Sequence, residues 1–248
     1  MTPTDAQIWL WEIVGTAVLI LMGAGVVAGN QLLKSTVHKG GPLMINIGWG
    51  FAVFAGASIA WKSGAHINPA VTLGLAVADK TEWSQVPIYI CAQFIGAFIG
   101  AMLCYLAFKK NFDAEPHPED TRGIFCTGPQ VKRYFWNVTT EVIGTFVLVF
   151  WILQSPAISG SGDTLDIGNA GLGYAGVAFV VIGIGNSLGG PTGYAINPAR
   201  DLAPRIAYAL MPIKGKGSRE WNYAWVPVVG PVIGGILAGL LFAVTKNV

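Results

Sequence analysis

"GAHINPAV" at residues 64–71 and "GYAINPAR" at residues 193–200 carry the same Ile-Asn-Pro-Ala phrase, each copy after a glycine and a long apolar run. Asn caps a helix start by accepting backbone N–H groups, and Pro in the first helical turn gives up only an N–H that has no intrahelical partner. Each phrase therefore predicts a helix N-terminus. From Asn68 to Ala78 the helix runs about 11 residues, roughly 16 Å, or half of a ~30 Å hydrocarbon layer. Such a helix begins at the bilayer midplane. The second, from Asn197, carries Pro204, which is placed to kink it by freeing the Arg200 carbonyl.

The rest of the chain fits a membrane setting. Of its 248 residues 53% are hydrophobic and only 11% charged, less than half of the ~25% that wets a soluble domain. A net charge of +2 gives no clustered basic face for a nucleic acid. Cys91, Cys104 and Cys126 have neither an even count nor metal-ligand spacing, and two lie in apolar runs as packing residues. No cofactor or metal is implied.

Six stretches are long and apolar enough to cross a bilayer: roughly 7–33, 42–61, 84–108, 134–155, 170–189 and 222–244. No basic segment precedes the first, so it reads as a retained span and not as a cleaved signal. A polar connector spans 109–133. The sequence laid on itself at an offset of 129 matches Glu12 to Glu141, Gly56 to Gly185, Gly64 to Gly193, and Asn68-Pro69-Ala70 to Asn197-Pro198-Ala199. The last spans match only at 138, which puts an insertion in 211–221. Three spans per half is an odd number, so the second copy enters the membrane from the opposite side.

The expected fold is thus an all-α membrane protein with six transmembrane helices, two re-entrant half-helices and an inverted three-helix repeat. It forms one channel-like domain, 1–248, with halves at about 1–108 and 134–248. Glycine pairs Gly25/Gly29, Gly96/Gly100, Gly230/Gly234 and Gly235/Gly239 are spaced to let helices approach closely.

The residues before each phrase must reach the midplane without helical hydrogen bonds. Unpaired backbone in lipid costs several kcal/mol per group, so this path is tolerated where its carbonyls line water. Gly64, Ala65 and His66, and Gly193, Tyr194 and Ala195, become two ladders of acceptors. Glu12 and Glu141, at equivalent positions inside apolar spans, are placed to accept the loop N–H groups.

These residues resemble the aquaporin and glycerol-facilitator family, the major intrinsic proteins, through "SGAHINPAVT" and "GYAINPARD". The likeness covers essentially the whole chain. Asp201, Arg205 and Pro227 are similar to the glycerol-conducting, aquaglyceroporin branch. The resemblance implies a selectivity filter of Trp49, Gly185, Tyr194 and Arg200. There Gly185 leaves room that a His fills in water-selective pores, and Tyr194 stands where Phe is commoner. Trp49 lies 19 residues before Asn68, one fewer than the family spacing, which asks for a deletion near Ala60-Trp61. It further implies a homotetramer in the plasma membrane with cytoplasmic termini. That orientation leaves Lys62, Lys80 and Lys246 inside and ten basic residues outside, against the positive-inside tendency.

The function so implied is a passive channel for glycerol and water that excludes ions and protons, its Arg200 and positive half-helix ends opposing cations. Alternatives are a channel mainly for water, dihydroxyacetone, urea or lactic acid, and a coupled secondary transporter, which calls for more ionisable residues in the spans than Glu12 and Glu141. An enzyme is not expected, since no Cys-His, Ser-His-Asp or metal cluster stands out.

Overall fold

A computed structural model describes residues 2–155 and 173–246, and the regular structure in them is helical. The first half contributes α1 (Asp5–Gln31), α2 (Gly41–Ile59), α3 (Pro69–Val77) and α4 (Val86–Ala107). After a short α5 (Lys109–Asp113) in the connector come α6 (Tyr134–Gln154), α7 (Gly173–Leu188), α8 (Pro198–Leu210) and α9 (Val226–Thr245). Five of these helices, α1, α2, α4, α6 and α9, are long and apolar enough to cross a bilayer. The sixth expected span is α7, of which residues 170–172 lie outside the described residues.

Pairing follows the repeat. α1 packs on α2 and α4, as α6 packs on α7 and α9, while α2 meets α7 between the halves. Each short helix crosses over: α3 packs on α9 and α8 on α4. The halves are thereby interlocked, and neither short helix has its full packing without the other half.

Glycine sets how closely these helices lie. A Cβ on Gly15 would sit 2.7 Å from the Gly56 carbonyl oxygen, so the α1 and α2 backbones touch there. Gly96 and Gly100 face α1 backbone carbonyls in the same way, Gly234 faces α6, and Gly235 and Gly239 face α3. Gly25/Gly29 is a correction to the spacing argument. Gly25 has only the Phe108 ring, at the end of the 84–108 span, at 3.8 Å and Gly29 meets the Val37 side chain, so among the described residues this pair brings no two helix backbones together. Spacing alone cannot say which face of a helix meets a neighbour.

The outer faces are apolar and uncovered, with Leu43, Phe51, Leu103, Phe179 and Leu240 all exposed. In lipid such side chains need no burial, which is why composition reads so hydrophobic.

α3 has 9 residues and α8 has 13, so the second half-helix is the longer, and Pro204 lies within its helical run. Thr2 and Pro3 near one chain end and Lys246 near the other lie on one face with Lys80, where Gln85 Nε2 donates to the Pro3 carbonyl at 2.9 Å and Lys246 lies 4.0 Å from Asp79. The connector covers the opposite face.

Candidate conducting pore

The two half-helices meet tip to tip. Asn68 caps α3, its Oδ1 accepting the Ala70 N–H at 2.9 Å, and Asn197 caps α8, its Oδ1 accepting the Ala199 and Arg200 N–H groups at 3.1 Å. Their amide nitrogens then cross. Asn68 Nδ2 donates to the Ile196 carbonyl at 2.8 Å and Asn197 Nδ2 donates to the Ile67 carbonyl at 2.9 Å. Each amide has two N–H groups, so a second donor remains on each. Pro69 and Pro198 fill the first helical turn, where no backbone donor is lost, and Ala70 and Ala199 are fully buried beside them.

The approach loops are bent in the same register. Gly64, Ala65 and Ile67 have φ of +88°, +55° and +43°, and Gly193, Tyr194 and Ile196 have +80°, +38° and +43°. Glycine takes this region freely, but each non-glycine residue in it costs about 1–2 kcal/mol, and a β-branched Ile is a genuine outlier. Two carboxylates hold the strain. Glu12 accepts the His66 N–H at 3.0 Å and the Ile67 N–H at 2.7 Å, and Glu141 accepts the Ala195 N–H at 3.0 Å and the Ile196 N–H at 2.8 Å. Both are buried.

Between the loops runs a cavity of about 130 Å³ lined by Gly64, Ala65, His66, Asn68, Tyr194, Ala195, Asn197 and Arg200. A water needs roughly 10–15 Å³ by this measure, so several can stand in file. Its other wall is apolar, with Leu19, Val53, Val71, Leu148 and Val181 among the lining. One wall accepts and donates hydrogen bonds; the other does neither. Gly193 sits just outside this cavity, its Cα side against Thr127 of the connector. His66 contributes more than backbone, since Nδ1 lies 3.1 Å from the Thr72 hydroxyl and the ring stacks on Tyr89 at 4.0 Å.

At the connector end the Arg200 guanidinium lies 3.9 Å over the Trp49 ring, and its Nη1 donates to the Phe125 carbonyl at 3.5 Å. Gly23 of α1 makes room for the Trp49 indole. Trp49 reaches Arg200 although the spacing is short: α2 ends at Ile59 and one 3-10 turn, Trp61–Ser63, carries the chain to Gly64. Tyr194 OH donates to Asn46 Oδ1 at 2.7 Å, so its hydroxyl is tied back to α2. The room at Gly185 goes to that ring, because a Cβ there would sit 2.8 Å from Tyr194 Cζ and 2.9 Å from Asn46 Oδ1. Gly185→Ala is expected to push the phenol into the cavity and lower solute flux several-fold without loss of folding, measured by vesicle swelling beside the melting temperature.

Asp201 and Arg205 lie outside the cavity lining, fully buried. Asp201 accepts the Thr127 N–H and hydroxyl at 2.6 and 2.7 Å and the Arg205 guanidinium at 2.7 Å. Arg205 donates in turn to the carbonyls of Thr127 and Arg219, at 2.9 and 2.6 Å. The pair clasps the connector and the 211–221 segment onto α8. Removing one partner of a buried pair costs about 3–5 kcal/mol, so Asp201→Ala is expected to lower the melting temperature sharply, read in detergent. Pro227 is buried in the first turn of α9, on no side of the cavity.

A crossed asparagine pair at the tips of two opposed half-helices, each backed by a buried glutamate, is a specific arrangement, and comparison with known proteins bears on it. The family model for the major intrinsic protein matches residues 2–242. The chain belongs to the major intrinsic protein family. This major intrinsic protein is 50% identical over 221 residues to a glycerol uptake facilitator protein of Bacillus subtilis, covering 89% of this chain and 78% of the relative. It is 49% identical to glycerol uptake facilitator protein 3 of Lactiplantibacillus plantarum, covering 95% of each. Among solved structures it is similar to the aquaglyceroporin from Plasmodium falciparum, with TM-score 0.81, 28% identity, and 98% and 97% of the two chains covered.

Several residues of this major intrinsic protein's pore escaped the sequence argument. Ser63 and Thr192 are equivalent at the offset of 129, and each hydroxyl accepts a loop N–H, from Ala65 and Tyr194, at 3.3 Å. The repeat register held that signal. Gln93, which donates to Glu12 at 2.8 Å, and Asn46 were visible as lone amides in apolar spans. The carbonyl of Phe125 carried no signal at all.

Proposed function

We propose that the chain is a passive channel for glycerol and water, working without cofactor or metal as a homotetramer in the plasma membrane with both termini in the cytoplasm, and that it excludes ions and protons. The observation that carries this reading is the two-walled cavity running past the crossed asparagines. A linear polyol has hydroxyls along one edge and C–H groups along the other. The Gly64–His66 and Tyr194–Ala195 backbone, the spare asparagine N–H groups and the Arg200 donors not engaged by Phe125 suit its hydroxyls. The apolar wall and the Trp49 face suit its carbon edge. Trp49, Gly185, Tyr194 and Arg200 act as the filter, with Gly185 serving as the seat of the Tyr194 ring. Named relatives at about half identity are glycerol uptake facilitators, which supports the same solute.

Ion exclusion follows from placing Arg200 and two positive helix ends in a narrow passage. The crossed asparagines, donating to a passing oxygen from both sides, interrupt a proton wire. A coupled transporter needs further titratable groups beside the path; among the described residues the ionisable side chains in the cavity lining are His66, Tyr174, Tyr194 and Arg200, and Glu12 and Glu141 are occupied by the loops.

Stopped-flow light scattering on proteoliposomes tests this. Glycerol entry is expected to exceed that of protein-free vesicles and to be unaffected by an uncoupler. Equal rates for glycerol with fast water entry would favour a water channel; collapse with an uncoupler would favour coupling.

A further inference from the structure

The pseudo-two-fold that relates the halves also relates each side of the pore to the other, and the two sides have diverged. At the offset of 129 the filter positions Trp49, Gly185, Tyr194 and Arg200 correspond to Ala178, Gly56, Ala65 and Val71. Every bulky or charged member is replaced by a small apolar one. The side near the chain ends should therefore be wide and featureless.

Among the described residues, one aromatic side chain on α7 breaks that pattern. Tyr174 lies eleven residues before Gly185 on α7, about 16 Å along the axis and within about 20° of the same helix face. It lines the cavity together with Gly64, Ala65 and His66, and its ring packs against the cluster that includes Leu19, Ala57 and Ile67 of the other half. Tyr174 of one half thus shares the cavity lining with Gly64, Ala65 and His66 of the other. Gly64 and His66 also line a second pocket with Thr2, Pro3 and Lys80, so the stretch they share with Tyr174 lies on the chain-end side of the asparagines.

We propose that Tyr174 forms a second selectivity station on the chain-end side of the asparagine pair, which limits the length of polyol that passes. Tyr174 shares this stretch with the Gly64–His66 loop, and among the described residues Leu19, Ala57, Leu75 and Ile152 add apolar lining. A three-carbon polyol turns its hydroxyls to the carbonyls and its carbons to the ring. A longer one has more of its carbons and hydroxyls in line beside the ring at once, with less freedom to turn as it passes. The inference rests on the channel reading above and adds a residue to it.

The test is a permeability series for glycerol, erythritol and xylitol in proteoliposomes of the wild type, Tyr174→Phe, Tyr174→Leu and Tyr174→Ala. Tyr174→Ala is expected to raise the erythritol to glycerol ratio about tenfold, the scale on which a pocket discriminates one added carbon. Tyr174→Leu is expected to raise it less, and Tyr174→Phe to keep the wild-type ratio, because the ring supplies the restriction. Should Tyr174→Ala fail to insert, Tyr174→Leu reads the same quantity. Wild-type glycerol flux with ratios unchanged in the Ala and Leu variants overturns the station and leaves the channel intact. Absence of glycerol flux in the wild type overturns the channel reading itself.

Discussion

Glu141→Gln and Glu12→Gln are each expected to abolish solute flux and to lower the melting temperature steeply, with Glu12 the more severe. Each carboxylate offers two acceptor oxygens to two N–H groups of a loop held at positive φ. The amide keeps one oxygen and turns an NH2 against a backbone N–H, donor facing donor. A buried donor left unpaired costs about 1–3 kcal/mol. The strained residues, Ala65 and Ile67 or Tyr194 and Ile196, then lose what holds them, at about 1–2 kcal/mol each. Against a typical total stability of about 5–15 kcal/mol this is a large fraction. Glu12 also accepts the Ser63 hydroxyl at 2.6 Å and Gln93 at 2.8 Å, so its loss strands more donors. Thermal melts in detergent and glycerol flux in vesicles measure both effects; wild-type values in either variant would show that the loops hold their own shape.

Arg200→Val is expected to let cations through while the protein remains folded. The guanidinium is nearly buried and lies over Trp49 in the filter, so its charge is weakly screened. At an effective dielectric constant near 20, a cation about 6 Å away meets a barrier of about 3 kcal/mol, roughly a hundredfold in rate. Val occupies the equivalent position, 71, in the other half, where it already lines the cavity. The substitution therefore brings the filter nearer to its own pseudosymmetric copy. Single-channel or flux measurement of monovalent cations reads the change. Unchanged cation exclusion would assign the barrier to the half-helix ends and the asparagines alone.

Much of the pore was legible in the primary structure, because an internal repeat lets a sequence be compared with itself. Asn68 and Asn197 as caps, the length of the first half-helix and the backing roles of Glu12 and Glu141 all follow from register and from what a bilayer forbids. These are local or one-dimensional constraints: capping, span length, odd parity of crossings, and the cost of an unpaired backbone group in lipid.

Other features needed the chain to be folded on itself. That Gly185 is the seat of the Tyr194 ring, that Asn46 ties the Tyr194 hydroxyl away from the passage, and that Asp201 and Arg205 clasp the connector and stand clear of the cavity are contacts between residues 4 to 148 positions apart. The Phe125 carbonyl on Arg200 is a backbone group and leaves no trace in residue identity. Gly25 and Gly29 have the right spacing but meet no helix backbone among the described residues, since periodicity names a face and only packing names what lies opposite it. Sequence alone determined the two halves, their opposed half-helices and the groups that hold the tips; the tertiary structure decided which side chains share the passage, because width at a point depends on every ring that reaches it from distant parts of the chain.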